Sequence, residues 1–272
     1  MQPVTEKNLG NPADKRLPEE YFNLLRMWQT PAYGQVAIDF EINFINNPCI
    51  RAMMDHSACV TKILDLRTQE FSFISSNAKA VFGYSRNHFL ENGLSFCNKI
   101  AHPEDLHITW KLKKNIWDYI LTVPSWSQAQ YKFNYDYRII RPDGKEARIL
   151  AQNSVLQLDC KGNITHVLGT YSDISHWKKS EQQIASIVSS AKNTCFFISP
   201  ETSDISDKYA VLSKRELEIV KLMAEGYSSK LIAEKLFISF HTVNTHRQKI
   251  LEKTKAQNTG SLVQFAYSHG LI

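Results

Sequence analysis

Ile238–Leu251 reads ISFHTVNTHRQKIL, and at about 100° per residue it makes a helix with two unlike faces. Val243 and Ile250 fall together on one side, flanked by Leu251 and His246, while His241, Asn244, Thr245 and Gln248 lie broadly opposite. Lys249 and Lys253 project to one side, and Arg247 emerges close to the edge of the apolar stripe. Such a helix sits by its stripe on a small core and offers amides and hydroxyls outward between cations. Amides suit base edges in a DNA groove, and cations suit phosphates. Alone, this pattern fits a solvated basic helix better, so the flanking sequence has to decide.

The flanks supply three more helices with their start and stop signals. Ser213 and Glu216 form an S-x-x-E capping box ahead of a first helix carrying Leu217, Val220 and Ala224. Gly226 is placed to end it in the left-handed conformation. Ser228 or Ser229 can cap a second helix with Ile232, Ala233 and Leu236 as its stripe, and Ser239 caps the third after a very short connection. Asn258 can cap a fourth through Leu262, Val263 and Ala266, with Gly270 beyond. Helix, short turn and polar-faced helix is the helix-turn-helix order. Charge agrees: residues 208–272 hold ten Lys and Arg against five Asp and Glu. The first 207 residues hold 22 of each, so the whole net charge of +5 belongs to the C-terminal segment. A phosphate-binding module leaves this footprint.

From LSKRELEIV through HTVNTHRQKIL to AYSHGL, residues 212–271 resemble the LuxR/NarL-type DNA-binding domain over its full four-helix length. Thr254 departs from the pattern, standing where the family usually has Leu. The resemblance, with the helix phase, implies a duplex-DNA partner for a domain spanning 208–272. It sets Asn244, Thr245 and Gln248 at base edges, and Thr242, Arg247, Lys249 and Lys253 on phosphates, with Lys230 beside them. It also implies a homodimer with a contact on the fourth helix around Leu262, Phe265 and Ala266.

Upstream, Tyr131, Phe133, Tyr135 and Tyr137 alternate with Lys132, Asn134, Asp136 and Arg138, the period of a half-buried strand. Turns at Pro142-Asp143-Gly144 and Lys161-Gly162-Asn163 separate it from a second strand ending at Leu158 and a third from Ile164 to Ile174. Val60 to Leu66 and Phe71 to Ile74 suit two shorter strands, with helical pieces around Ala78, Phe89 and Trp110 to Leu121. The order predicts an α+β unit with a five-stranded antiparallel sheet, followed by the all-α four-helix domain. FGY at Phe82–Tyr84, HPED at His102–Asp105, YRIIRPDG at Tyr137–Gly144 and GTYSDIS at Gly169–Ser175 give residues 56–176 a resemblance to PAS domains. That implies a sensory or dimerising module for a small molecule, cofactor or protein.

The cofactor stays unknown at this level. Cys97 falls near the reactive cysteine of flavin-binding PAS domains, but LSFCNKI does not match their asparagine-cysteine-arginine-phenylalanine motif. A buried free thiol accounts for it. His102 and His107 are conceivable haem ligands, yet His102 belongs to the HPED helix-capping element, so flavin and haem are both disfavoured. After Asp173, HWKKSEQQIASIVSSA reads as a helix, with Trp177, Ser180, Ile184, Ile187 and Ala191 at heptad spacing over two heptads. It is too short to stand as a coiled coil, and packing on the sensor fits as well. Residues 177–207 are therefore read as a coupling helix and linker. Residues 1–55 hold a helix from Pro18 to Trp28 and another approaching Met54, to which the sequence assigns no role beyond covering the sensor or helping it dimerise.

The whole chain is expected to be a soluble protein of a reducing cytosol. Its five scattered cysteines form neither a zinc spacing nor a disulfide framework, and it has no signal peptide and no apolar run long enough for a membrane span. No P-loop, nucleotide-binding glycine fingerprint or metal triad appears, so no enzyme is implied. The reading is a ligand- or partner-sensing transcription regulator. The alternative is an adapter for RNA polymerase, or a sigma-like factor, using the PAS unit only to dimerise.

Overall fold

The computed structural model describes residues 17–36, 45–176, 178, 183, 185–189, 194–198, 209–254 and 256–268. Helix α1 (Glu19–Gln29) starts after Pro18, whose fixed φ suits an extended residue just outside a helix, and α2 (Pro48–Asp55) is capped by the Asn47 carboxamide. Strands β1 (Val60–Asp65) and β2 (Glu70–Ile74) form a hairpin. Three helices follow: α3 (Ala78–Phe82), α4 (Arg86–Ile100, interrupted at Gly93) and α5 (Pro103–Thr122), then a short α6 (Ser125–Gln128). Strands β3 (Tyr131–Ile140), β4 (Glu146–Leu158) and β5 (Ile164–Asp173) complete the expected five. The order β2-β1-β5-β4-β3 is antiparallel throughout. One face carries the aromatic core, in which Trp110, Phe82, Phe89 and Tyr131 are fully buried. The motifs that signalled the fold close it: Asp173 accepts from the Ser175 amide (2.9 Å) and from Arg141 (2.6 Å). Asp105 of HPED accepts from the Arg138 guanidinium and amide at 2.6 and 2.7 Å.

Beyond Asp173 the structure corrects the sequence reading. Among the described residues of the 177–207 segment read as a coupling helix and linker, the sheet continues through β6 (Ala185–Ser189) and β7 (Thr194–Ile198), and β8 (Tyr209–Leu212) follows. All three extend it antiparallel from β3, giving eight strands in the order β2-β1-β5-β4-β3-β6-β7-β8. The reason is the edge of β3, whose backbone N–H and C=O groups need partners. The segment carrying the β-branched pair Ile187-Val188 answers that demand better than it makes a helix. The same pairing explains why β3 is not the half-buried strand expected. Asn134 and Asp136 are as buried as its aromatics, with Asn134 bonded to Ser186 (3.2 Å) and Asp136 holding Arg148 and Lys178, each at 2.7 Å. Of the heptad residues, Ile187 lies buried in β6, and Trp177, Ser180, Ile184 and Ala191 fall outside the described residues.

Strand β8 leads without a gap into the C-terminal helices α7 (Lys214–Ala224), α8 (Ser229–Leu236), α9 (Phe240–Thr254) and α10 (Thr259–Ser268). The capping box at Ser213 and Glu216 is formed in both directions, Ser228 caps α8, and Gly226 takes φ +86° at the end of α7. The core of this unit gathers Leu217, Val220, Ile232, Val243, Ile250 and Leu262, and it takes in Leu212 of β8, with Val188 of β6 packed against it. No helix among the described residues is long and apolar enough to cross a membrane.

Candidate nucleic-acid interface and interior cavity

The start of α9 is set by two local devices. Phe237 ends α8 in the left-handed conformation at φ 53°, unusual for a bulky residue, and turns the chain within a few residues. The Ser239 hydroxyl then accepts from the Thr242 amide at 3.0 Å, satisfying a donor that has no partner within the helix. Val243 and Ile250 anchor α9 at zero exposure. Thr254 shares their side, buried with its hydroxyl donating to the Ile250 carbonyl at 2.8 Å. That bond lets Thr stand where an apolar residue was expected, because the buried hydroxyl is satisfied.

With the stripe fixed, Asn244, Thr245, Gln248 and Lys249 are all exposed on α9, and Lys230 is exposed on α8. Thr245 donates to the His241 carbonyl (3.1 Å) and Gln248 donates to Glu252 (3.1 Å), so both polar ends are steadied by neighbours one turn away. Three other expected contacts are engaged within the domain. The Thr242 hydroxyl meets Ser239 (2.8 Å), and Arg247 donates to the Thr259 hydroxyl of α10 (2.9 Å). Lys253 is ion-paired to Glu216 at 2.7 Å, binding the end of α9 to the first turn of α7. Burial alone would raise the Glu216 carboxyl. Hydrogen bonds from Lys253 and Ser213 more than offset this and hold it below the usual carboxylate range. The dimer contact expected on the fourth helix needs correction. Leu262 and Ala266 have zero exposure and belong to the domain's own core, since a four-helix unit this small needs them to close it. The Phe265 side chain lies outside the described residues.

A second feature lies inside the N-terminal sheet-and-helix unit: a cavity of about 70 Å³ whose walls include Trp28, Lys62, Cys97, Lys113, Tyr135 and Tyr171. Helix α1 covers one side through Trp28, which packs edge-on against Trp117 at 5.4 Å, so this part of the N-terminal segment packs on the sheet-and-helix unit. Gly169 faces Lys62 across the sheet, and a Cβ there would lie 2.6 Å from Asn153 Oδ1; glycine keeps this wall open. Lys62 is only 2% exposed, and its ammonium lies 4.2 Å from the Phe89 ring centre, 4.3 Å from Phe82 and 4.5 Å from Tyr171. The Lys113 ammonium sits over Trp110 at 3.9 Å and Tyr135 at 5.2 Å. Burial lowers the pKa of both amines, that of Lys113 to about 8; Lys62 lowers it further, and Cys97 acts in the opposite sense.

Cys97 is thus not simply a core thiol. It is partly exposed to the cavity, with Sγ 4.0 Å from Lys62 Nζ. His102 and His107 are elsewhere: His102 occupies the N-cap position of α5 beside Glu146 (3.3 Å), and His107 is on the surface near Glu20 (3.9 Å). Neither lines the cavity. The sequence reading passed over Lys62 and Lys113, although phase marks both. Lys62 falls in step with Val60 and Leu64 on the inward face of its strand, and Lys113 falls between Trp110 and Trp117 on the apolar side of its helix.

Two separate stretches of the chain match known families. Residues 210–266 match the family of bacterial regulatory proteins described as luxR family, and residues 71–171 match the PAS fold. The oxygen regulatory protein NreC of Staphylococcus aureus is 44% identical over 72 residues, covering 26% of this chain and 33% of NreC. NreC of Staphylococcus epidermidis is 46% identical over the same length and shares. The chain spans about a third of the length of these curated relatives. Among solved structures, the N-terminal PAS/PAC sensor domain of a diguanylate cyclase from Marinobacter aquaeolei gives a TM-score of 0.34 at 20% identity, over 43% of this chain and 96% of that one. The Vibrio cholerae VqmA dimer without target DNA gives 0.31 at 15% identity, over 83% and 89%.

Proposed function

Because a PAS fold here runs directly into a luxR-family helix-turn-helix domain, we propose that this chain is a cytoplasmic, sequence-specific DNA-binding transcription regulator, with the PAS unit sensing a small molecule. The observation that carries the reading is the outer face of α9. Asn244, Thr245, Gln248 and Lys249 stand exposed there on a helix fixed by Val243 and Ile250, in the domain that holds the whole positive excess of the chain. One such helix reads only a few base pairs. Two copies of the chain would therefore bind a two-fold or tandem site, with half-sites about one helical turn apart.

The sheet extension offers the path from sensor to reader. Lys113 lines the cavity from α5, which touches β6 and β7. Gln183, just before β6, donates to Thr109 of α5 (2.8 Å) and to the Asp136 carbonyl of β3 (2.9 Å). Val188 of β6 then packs on the DNA-binding core. A ligand biases this path only through different affinities for its two arrangements, so operator DNA must change ligand affinity by the same factor. Selection of bound duplexes from a random library by the full chain, repeated with Gln248→Ala, tests the DNA reading. We expect an enriched motif in the parent and a loss of about 1–3 kcal/mol at one position of it in the variant. No enriched motif, or an unchanged ranking of sequences with Gln248→Ala, would sink the assignment of α9 as the reader.

A further inference from the structure

The cavity is built for a ligand of one charge type. Two ammonium groups look into it, and its lining contains no aspartate or glutamate. Neither Lys62 nor Lys113 makes an ion pair within 4.0 Å among the described residues. Their neighbours are ring faces and, for Lys62, the Cys97 sulfur. Ring faces attract cations, but a desolvated ammonium held only by rings gives up far more hydration than they return. Elsewhere this domain does not bury cations that way: Arg148 is given Asp136 at 2.7 Å. Trp28, which also lines the cavity, has its indole Nε1 buried with no hydrogen-bond acceptor among the described residues. Buried polar atoms are almost always satisfied, and each exception needs a reason.

We infer that the cavity binds a short-chain carboxylate, its charged head between Lys62 and Lys113 and its apolar body against the aromatic walls. This rests on the proposed reading of the PAS unit as a ligand sensor and names the class of ligand. Size limits the body to a few carbons, because an apolar cavity of about 150 Å³ holds benzene and this one is about 70 Å³. A carboxylate accepts hydrogen bonds from both amines at once, and such charge-assisted bonds are the strong ones. Burial lowers the Lys113 pKa to about 8, and an anion beside it would act in the opposite sense and restore the proton shed above that pH.

The test uses the full chain and three probes: propionate, pyruvate and the neutral isostere propionamide. Trp28, Trp110 and Trp117 all line the cavity, so tryptophan fluorescence reports occupancy, with the shift in thermal midpoint as a second readout. We expect saturable binding of at least one carboxylate, at least roughly tenfold weaker binding of propionamide, and a similar loss in Lys62→Met and in Lys113→Met. Calorimetry near pH 9 in buffers of different ionisation enthalpy should show proton uptake on carboxylate binding. Propionamide binding as tightly as propionate, or both lysine variants binding propionate like the parent, overturns the anionic assignment while leaving a sensor cavity. The amide comparison on unaltered protein holds even if a variant fails to fold. No binding of any probe by either readout overturns the carboxylate assignment and removes the support this cavity gives to ligand sensing. The DNA-binding reading would stand untouched.

Discussion

Around α9, Lys249 points to solvent and Lys253 grips the Glu216 carboxylate at 2.7 Å; in the N-terminal domain, Lys62 and Lys113 turn inward toward rings and an interior space. The first arrangement follows from net charge. A domain with ten basic and five acidic residues keeps its excess on the surface, where phosphate can reach it. The second is invisible to charge counting, since the first 207 residues balance at 22 of each sign. Composition therefore locates cations that face outward as a group, and placement alone finds those that face inward. The same N-terminal domain shows what an ordinary buried cation looks like. Arg148 and Lys178 both meet Asp136, which is 1% exposed.

That contrast can be broken by stability measurements on the two buried sets. Removing the shared anion should have the largest effect. Asp136→Ala leaves Arg148 buried beside a lost partner, and breaking a buried pair in this way costs about 3–5 kcal/mol, read as a fall in the urea midpoint. Removing an unpaired cation should act in the opposite sense. Lys62→Met keeps length and apolar volume while relieving a desolvated ammonium, so the ligand-free protein should gain about 1–3 kcal/mol. The pH dependence carries the same signature. With the Lys113 pKa lowered to about 8 in the fold and near 10.4 when unfolded, the unfolded chain binds more protons between those values, and stability should rise with pH across that window. A parent protein whose stability falls from pH 8 to 10, or a Lys62→Met variant less stable than it, would show that the inward lysines are structural supports.

How much could be read in advance followed the range of the interactions involved. The C-terminal domain was legible almost residue by residue, because Ser213, Glu216, Gly226, Ser239 and Asn258 act on their own turns of chain. The five strands of the PAS fold were legible because Tyr131–Tyr137 alternates and turn residues separate the strands. The strands β6 to β8 were not. Ile184 and Ile187 sit three apart, which reads as a helix, and only the edge of β3, 52 residues before Ser186 at the Asn134 contact, makes the strand the better choice. Leu262 and Ala266 failed as dimer contacts for a similar reason: their phase on the helix was right, but whether an apolar stripe meets a partner or its own core depends on the other three helices. The cavity was half legible. Its aromatics were read only as the buried face of a strand, and its lysines were passed over, because a single Lys in an apolar strand is usually read as a solvated interruption.

The smallest effects separate the two lysines of α9. Both were expected on phosphates, but the geometry divides them. Lys249 is exposed, whereas Lys253 is bound to the carboxylate that caps α7. Lys249→Ala should weaken all DNA sequences alike and reduce the slope of log affinity against log salt by about one, without altering stability. Lys253→Ala should cost about 1 kcal/mol of domain stability, the worth of one partly screened pair on a buried acceptor, and move the salt slope less. Acid titration adds a sign. Glu216 is held below its ordinary range in the folded state, so the stability it contributes is present above its unfolded pKa and lost as pH falls through the folded value. Removing Lys253 should flatten that acid loss, while removing Lys249 should leave it unchanged. Equal salt slopes and equal acid profiles for the two variants would mean that the Lys253–Glu216 pair opens on DNA, and that both lysines serve the phosphate backbone.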